Sequence, residues 1–87
     1  MSVYILTKDL NVIDRLEKAL NDAGYVLDSF NNKKINVVGI YTYKSEYYNE
    51  KSYGYLYEGG MIGNDERFSW ILHRKECKTE QEFIDSL

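Results

Sequence analysis

Tyrosines recur at alternate positions, at 41, 43 and 47 and again at 53, 55 and 57, within two stretches of this chain, Ile35 to Tyr48 and Tyr53 to Ile62. In an extended chain alternate side chains share a face. The odd positions hold Tyr41, Tyr43, Tyr47, Tyr53, Tyr55 and Tyr57, with Ile35, Val37, Gly39, Ser45, Gly59 and Met61 and no charge. The even positions mix Val38, Ile40, Thr42, Tyr48, Gly54 and Leu56 with the charged Lys44, Glu46 and Glu58. Phenols so spaced can pair across strands inside a core, each pair worth ~0.2–1 kcal/mol. They can also form an amphipathic surface that anchors a protein or stacks bases. A sheet with one wet face puts its charges there, which assigns the odd face to the core. Ile35 to Tyr48, at ~3.3 Å per residue, outruns a neighbouring helix rising ~1.5 Å per residue. The distal Tyr47, Tyr48 and Tyr53 are therefore expected at the surface, and Tyr41, Tyr43, Tyr55 and Tyr57 as the roof of the core. The expected binding residues are Tyr47, Tyr48, Lys51, Tyr53 and Tyr55.

Other residues offer weaker chemistry. Gly59-Gly60-Met61-Ile62-Gly63 lacks the Lys-Ser/Thr of a phosphate-cradling loop and precedes no helix, so a strand-end bulge and turn is expected. His73 and Cys77, the sole histidine and cysteine, read as a strand-end imidazole and a semi-buried thiol in the following loop. Neither has an identifiable orienting group or oxyanion donor. Glu76 beside them is too little for a metal site, and no metal or cofactor is expected. Trp70 shares a face with Phe68 and Leu72 and is expected as a core anchor. Glu76, Glu80, Glu82 and Asp85 make an acidic end that a basic partner could meet.

The elements that must position these groups are legible to differing degrees. Val3-Tyr4-Ile5-Leu6 is apolar on both faces and suits an interior strand. Thr7, Asp9 and Asn11 are candidate N-caps for a helix whose Leu10, Ile13, Leu16, Leu20 and Ala23 fall on one face, with Gly24 at its C′ position. Tyr25 to Phe30 is a second strand, which after a strand and a helix predicts a right-handed crossover with parallel pairing. Residues 3–27 resemble the opening of a receiver domain in their strand, acidic loop with Asp9, helix and Ala-Gly-Tyr ending. The rest is too short and too β-rich for that fold. The resemblance implies a shared supersecondary unit and no phosphorylation. Asn31-Asn32-Lys33-Lys34 is a turn, the two tyrosine stretches form a hairpin around residues 49–52, and Arg67 to His73 is a final strand. Thr79-Glu80-Gln81-Glu82 is a capping box opening a short helix with Phe83, Ile84 and Leu87. The predicted fold over residues 1–87 is a single α+β domain, β-α-β-β-β-β-α. It combines a mixed, mainly antiparallel sheet of about five strands with one main helix on one face and a short C-terminal helix.

Composition narrows the function. The net charge of −3 and the absence of any basic third count against phosphate-driven nucleic-acid binding. A lone cysteine, no apolar run of membrane length and no secretory leader point to the cytoplasm and to no membrane. Small size, acidity and 15% aromatic residues lead to the expectation of a non-enzymatic protein-binding module. An inhibitor or modulator of a host or cognate protein, carried by a phage or mobile element, fits a composition rich in Asn, Lys, Ile and Tyr. The alternative expectation is single-stranded RNA or DNA stacked on the hairpin tyrosines, with Lys33, Lys34, Lys44, Lys51, Arg74 and Lys75 nearby. A homodimer through the hairpin or an open strand edge is a third.

Overall fold

The computed structural model describes residues 2–44, 49–59 and 74–87. Its elements are β1 (Val3–Leu6), α1 (Leu10–Asp22), β2 (Val26–Leu27), β3 (Val37–Lys44), β4 (Lys51–Tyr57), β5 (Lys75–Cys77) and α2 (Glu80–Asp85). Among the described residues these make an α+β fold with a five-stranded mixed sheet, ordered β2-β4-β3-β1-β5. The predicted strand Arg67 to His73, with Phe68, Trp70 and Leu72, lies outside the described residues, as do Gly60 to Gly63.

α1 forms where its caps and its apolar spacing agree. Asp9 is the N-cap, accepting from the Asn11 backbone N–H at 2.9 Å, while Gly24 takes φ +88° at C′, a conformation that costs glycine little. Ile13, Leu16 and Leu20 are fully buried on the inner face. Leu10 was expected there too but is 51% exposed, because the first helical residue precedes the turn that overlies the sheet. Half of the expected capping box forms in α2: Thr79 accepts from the Glu82 N–H at 3.0 Å, while the Glu82 carboxylate accepts from the N–H of Lys78, one residue before the cap. A helix this short is marginal alone. Burial of Phe83, worth about 2 kcal/mol, fastens it to the core. Arg15 adds a two-pronged contact with Glu80 at 2.8 and 2.9 Å between the helices.

The predicted crossover is corrected. β1 pairs antiparallel with β3, β3 antiparallel with β4, and β4 parallel with β2. β1 and β2 therefore point the same way, as expected, but the β3–β4 hairpin is inserted between them. The physical reason lies in burial. Val26 and Leu27 are exposed, so β2 is an edge strand of only two residues. The hairpin carries the fully buried Ile40 and Leu56 and takes the interior. Cys77, expected in a loop, sits in β5, which pairs parallel with β1 at the opposite edge.

The assignment of all odd-numbered tyrosines to one face is also corrected. In the hairpin Ile40 stands opposite Tyr55, Tyr41 opposite Gly54, and Thr42 opposite Tyr53. Odd residues on one strand thus share a face with even residues on the other. Any connection with an even number of residues has this consequence, whether the predicted 49–52 or the observed 45–50. Tyr53, Tyr55 and Tyr57 join Ile40, Val3, Ile5 and Val37 beneath the helices. Tyr41 lies on the other face, in a smaller cluster with Tyr4, Leu56 and Val38. A bulge between Val37 and Gly39 brings Val37 opposite Tyr57, back onto the helix side.

Candidate functional site

Beside β2 a groove of about 890 Å³ opens, lined by residues 26–31, by Tyr41 and Tyr43 of β3, by residues 50–52 and by Arg74. It begins with a local hydrogen-bond pattern that residues 28–30 can make alone. The Asp28 carboxylate accepts from the Phe30 backbone N–H at 2.9 Å, an Asx turn that bends the chain just after β2. Its other oxygen accepts from the Tyr41 hydroxyl at 2.5 Å, while Asn31 Nδ2 donates to that same hydroxyl at 3.2 Å. The chain past β2 stays tied to β4 through Asp28 N–H to Tyr53 C=O and Tyr55 N–H to Asn31 C=O. The turn therefore projects Phe30 outward, where it is 81% exposed.

The floor has a distinct electrostatic character. Burial, and after it the bond to Asp28, hold the Tyr41 phenol far above its ordinary pKa, so it remains a neutral donor. Burial also pulls the Arg74 guanidinium below its usual value, opposed by Tyr41 and Tyr43. Arg74 lies over the Tyr43 ring, 5.8 Å from its centre. Close packing fixes the floor: the Tyr41 ring lies on Gly54, where an added Cβ would stand 2.7–2.8 Å from ring and hydroxyl atoms. Around this floor Val26, Leu27, Phe30 and Tyr43 expose large apolar surface. Such a concave site, apolar at the rim with a few fixed polar groups below, is equipped for binding.

The expected site residues are dispersed by the fold. Tyr47 and Tyr48 lie outside the described residues. Lys51 is exposed and lines the groove. Tyr53 was expected at the surface and is instead 2% exposed, as is Tyr55. α1 reaches far enough along the sheet to cover both, and the Tyr53 hydroxyl donates to Glu17 Oε2 at 3.0 Å. Burial, then Glu17, raises both phenols above their ordinary range. Tyr43 moves the other way, from expected core to a 46% exposed position on the groove wall. His73 lies outside the described residues, while Cys77 is buried and its thiol is pushed up mainly by burial. Among the described residues no three metal-ligating side chains gather.

Phe30, Asp28 and Asn31 were missed as site residues, while Arg74 was expected only as one of the cations near the hairpin tyrosines. The available signal was Asp28 two places before Phe30, an Asx-turn spacing that expels a large apolar side chain just before a polar turn. No family model, curated protein or solved structure matches the chain.

Proposed function

We propose that this chain is a non-enzymatic binding module for another protein, engaging it through the groove beside β2. The observation that carries this reading is the concentration of exposed Val26, Leu27, Phe30 and Tyr43 around one concavity. Contiguous apolar surface of this kind marks interaction sites. Aromatic side chains with few rotamers are the residue types that most often anchor interfaces. Asp28 and Glu50 balance Lys51 and Arg74 along the groove, which favours a protein over a nucleic-acid backbone. Among the described residues no helix is long and apolar enough to cross a membrane. The buried, unpaired Cys77 thiol supports a reducing compartment such as the cytosol as the place of action.

The test replaces Phe30 with serine. At 81% exposure the ring contributes little to stability, so the fold should be unchanged within about 0.5 kcal/mol. Loss of an interface anchor worth about 2 kcal/mol weakens binding roughly 30-fold. Partner capture that is identical for the wild type and Phe30→Ser rejects the reading.

A further inference from the structure

In the sheet Val26 of β2 stands beside Ser52 of β4, and Ser52 stands beside Tyr43 of β3. Residues paired across strands share a face, so the small Ser52 side chain lies low between two exposed apolar walls. One rung further along β4, the Tyr41 ring packs on Gly54 and closes the trough. Strands lie about 4.8 Å apart, which leaves roughly 10 Å between the Val26 and Tyr43 backbones. A helix needs ~10–12 Å with its own side chains and does not fit. One long, slender side chain does.

The charge at the closed end selects that side chain. The half-buried Asp28 carboxylate is held by two neutral donors, the Phe30 N–H and the Tyr41 hydroxyl. They fix its position without neutralising it, and each oxygen keeps accepting capacity. Among the described residues no ion pair includes Asp28 or Glu50, the two carboxylates that line the groove. Of the two cations on the lining, Arg74 lies over the Tyr43 ring. Lys51 leans its ammonium toward Tyr25, 5.6 Å from the ring centre, and Tyr25 belongs to the core beneath the helices. Lys51 thus gives the groove its stem more than its charge.

We infer that the groove takes one basic side chain of the partner, an arginine or a lysine. Its aliphatic stem lies over Ser52 between Val26 and Tyr43, and its cation makes a charge-assisted hydrogen bond to the Asp28 carboxylate. The exposed Phe30 ring offers the same cation an aromatic face. This inference rests on the reading of the groove as a protein-binding site and names what the partner must present there.

The test is an NMR titration of the full chain with the capped tripeptide leucine-arginine-leucine, beside peptides carrying citrulline, lysine or glutamate at the centre. The expected result is saturable movement of the Val26, Asp28, Phe30 and Ser52 amides with the arginine peptide. Binding should be at least about fivefold weaker for citrulline, the neutral isostere, and for the arginine peptide on Asp28→Asn. Asparagine keeps an acceptor for the Phe30 N–H, so the turn is retained. If that variant does not fold, the citrulline comparison on the wild type still decides. Equal binding by the lysine peptide supports the site and shows that any cation on an apolar stem suffices. Citrulline or glutamate binding as tightly as arginine, or no saturable binding, overturns the inference. Those results leave the groove reading itself to the Phe30→Ser capture, which scores the apolar rim and not the charge.

Discussion

Tyr41 and Gly54 show how one close approach determines what surrounds the groove. The ring occupies the space a Cβ at position 54 would need, and this placement brings the hydroxyl to Asp28 and Asn31. Gly54→Ala is therefore expected to cost about 1–3 kcal/mol by overpacking. Urea denaturation measures it, and a Tyr41→Ala background should remove most of the cost, since contacting residues are not additive. An unchanged midpoint in Gly54→Ala would mean that the ring does not sit there. Asp28 has the complementary part: by holding both the Phe30 N–H and the Tyr41 hydroxyl it joins an exposed apolar residue to a rigid base.

At the scale of elements, the hairpin's parity determines which tyrosines can be reached. Alternation along each strand was visible in the residues, but the face each strand turns inward depends on pairing register, which no single strand specifies. Inserting one residue within β4, between Tyr53 and Gly54, should therefore turn Tyr55 and Tyr57 to the opposite face. Because a one-residue slip moves a whole apolar set to the wrong side, the expected outcome is loss of cooperative unfolding, followed by circular dichroism. A variant with two inserted residues preserves parity and should still fold cooperatively. Elements defined by local chemistry were legible: Asp9 is one of the three candidate caps, and the Thr79 cap, the α1 stripe apart from Leu10 and the Gly24 stop appear in the fold. The groove was not, because it needs the non-local β2–β4 pairing. Together with the β3–β4 and β1–β5 pairings, it brings Phe30, Tyr43 and Arg74 to one groove from separate parts of the chain.

For the whole molecule, the buried phenols tie stability to alkaline pH. Tyr41, Tyr53, Tyr55 and Tyr57 all have pKa values raised above the ordinary 10.0, with burial the leading cause. The folded state holds these protons more tightly than the unfolded chain. Stability is therefore fully present below pH ~10 and is lost as pH climbs from there through the folded values. Phenolate absorbance should rise for these tyrosines only together with unfolding. Ionisation of every tyrosine near pH ~10 with the circular dichroism intact would contradict their burial. The proposed function makes a separate demand on the molecule: one exposed residue must matter to a partner without mattering to the fold. Quantitative affinity capture with wild type and Phe30→Ser as paired baits, alongside their urea midpoints, measures both. The account predicts equal midpoints and at least one protein enriched by the wild type and lost with Phe30→Ser. Equal midpoints with indistinguishable captured proteins would contradict it.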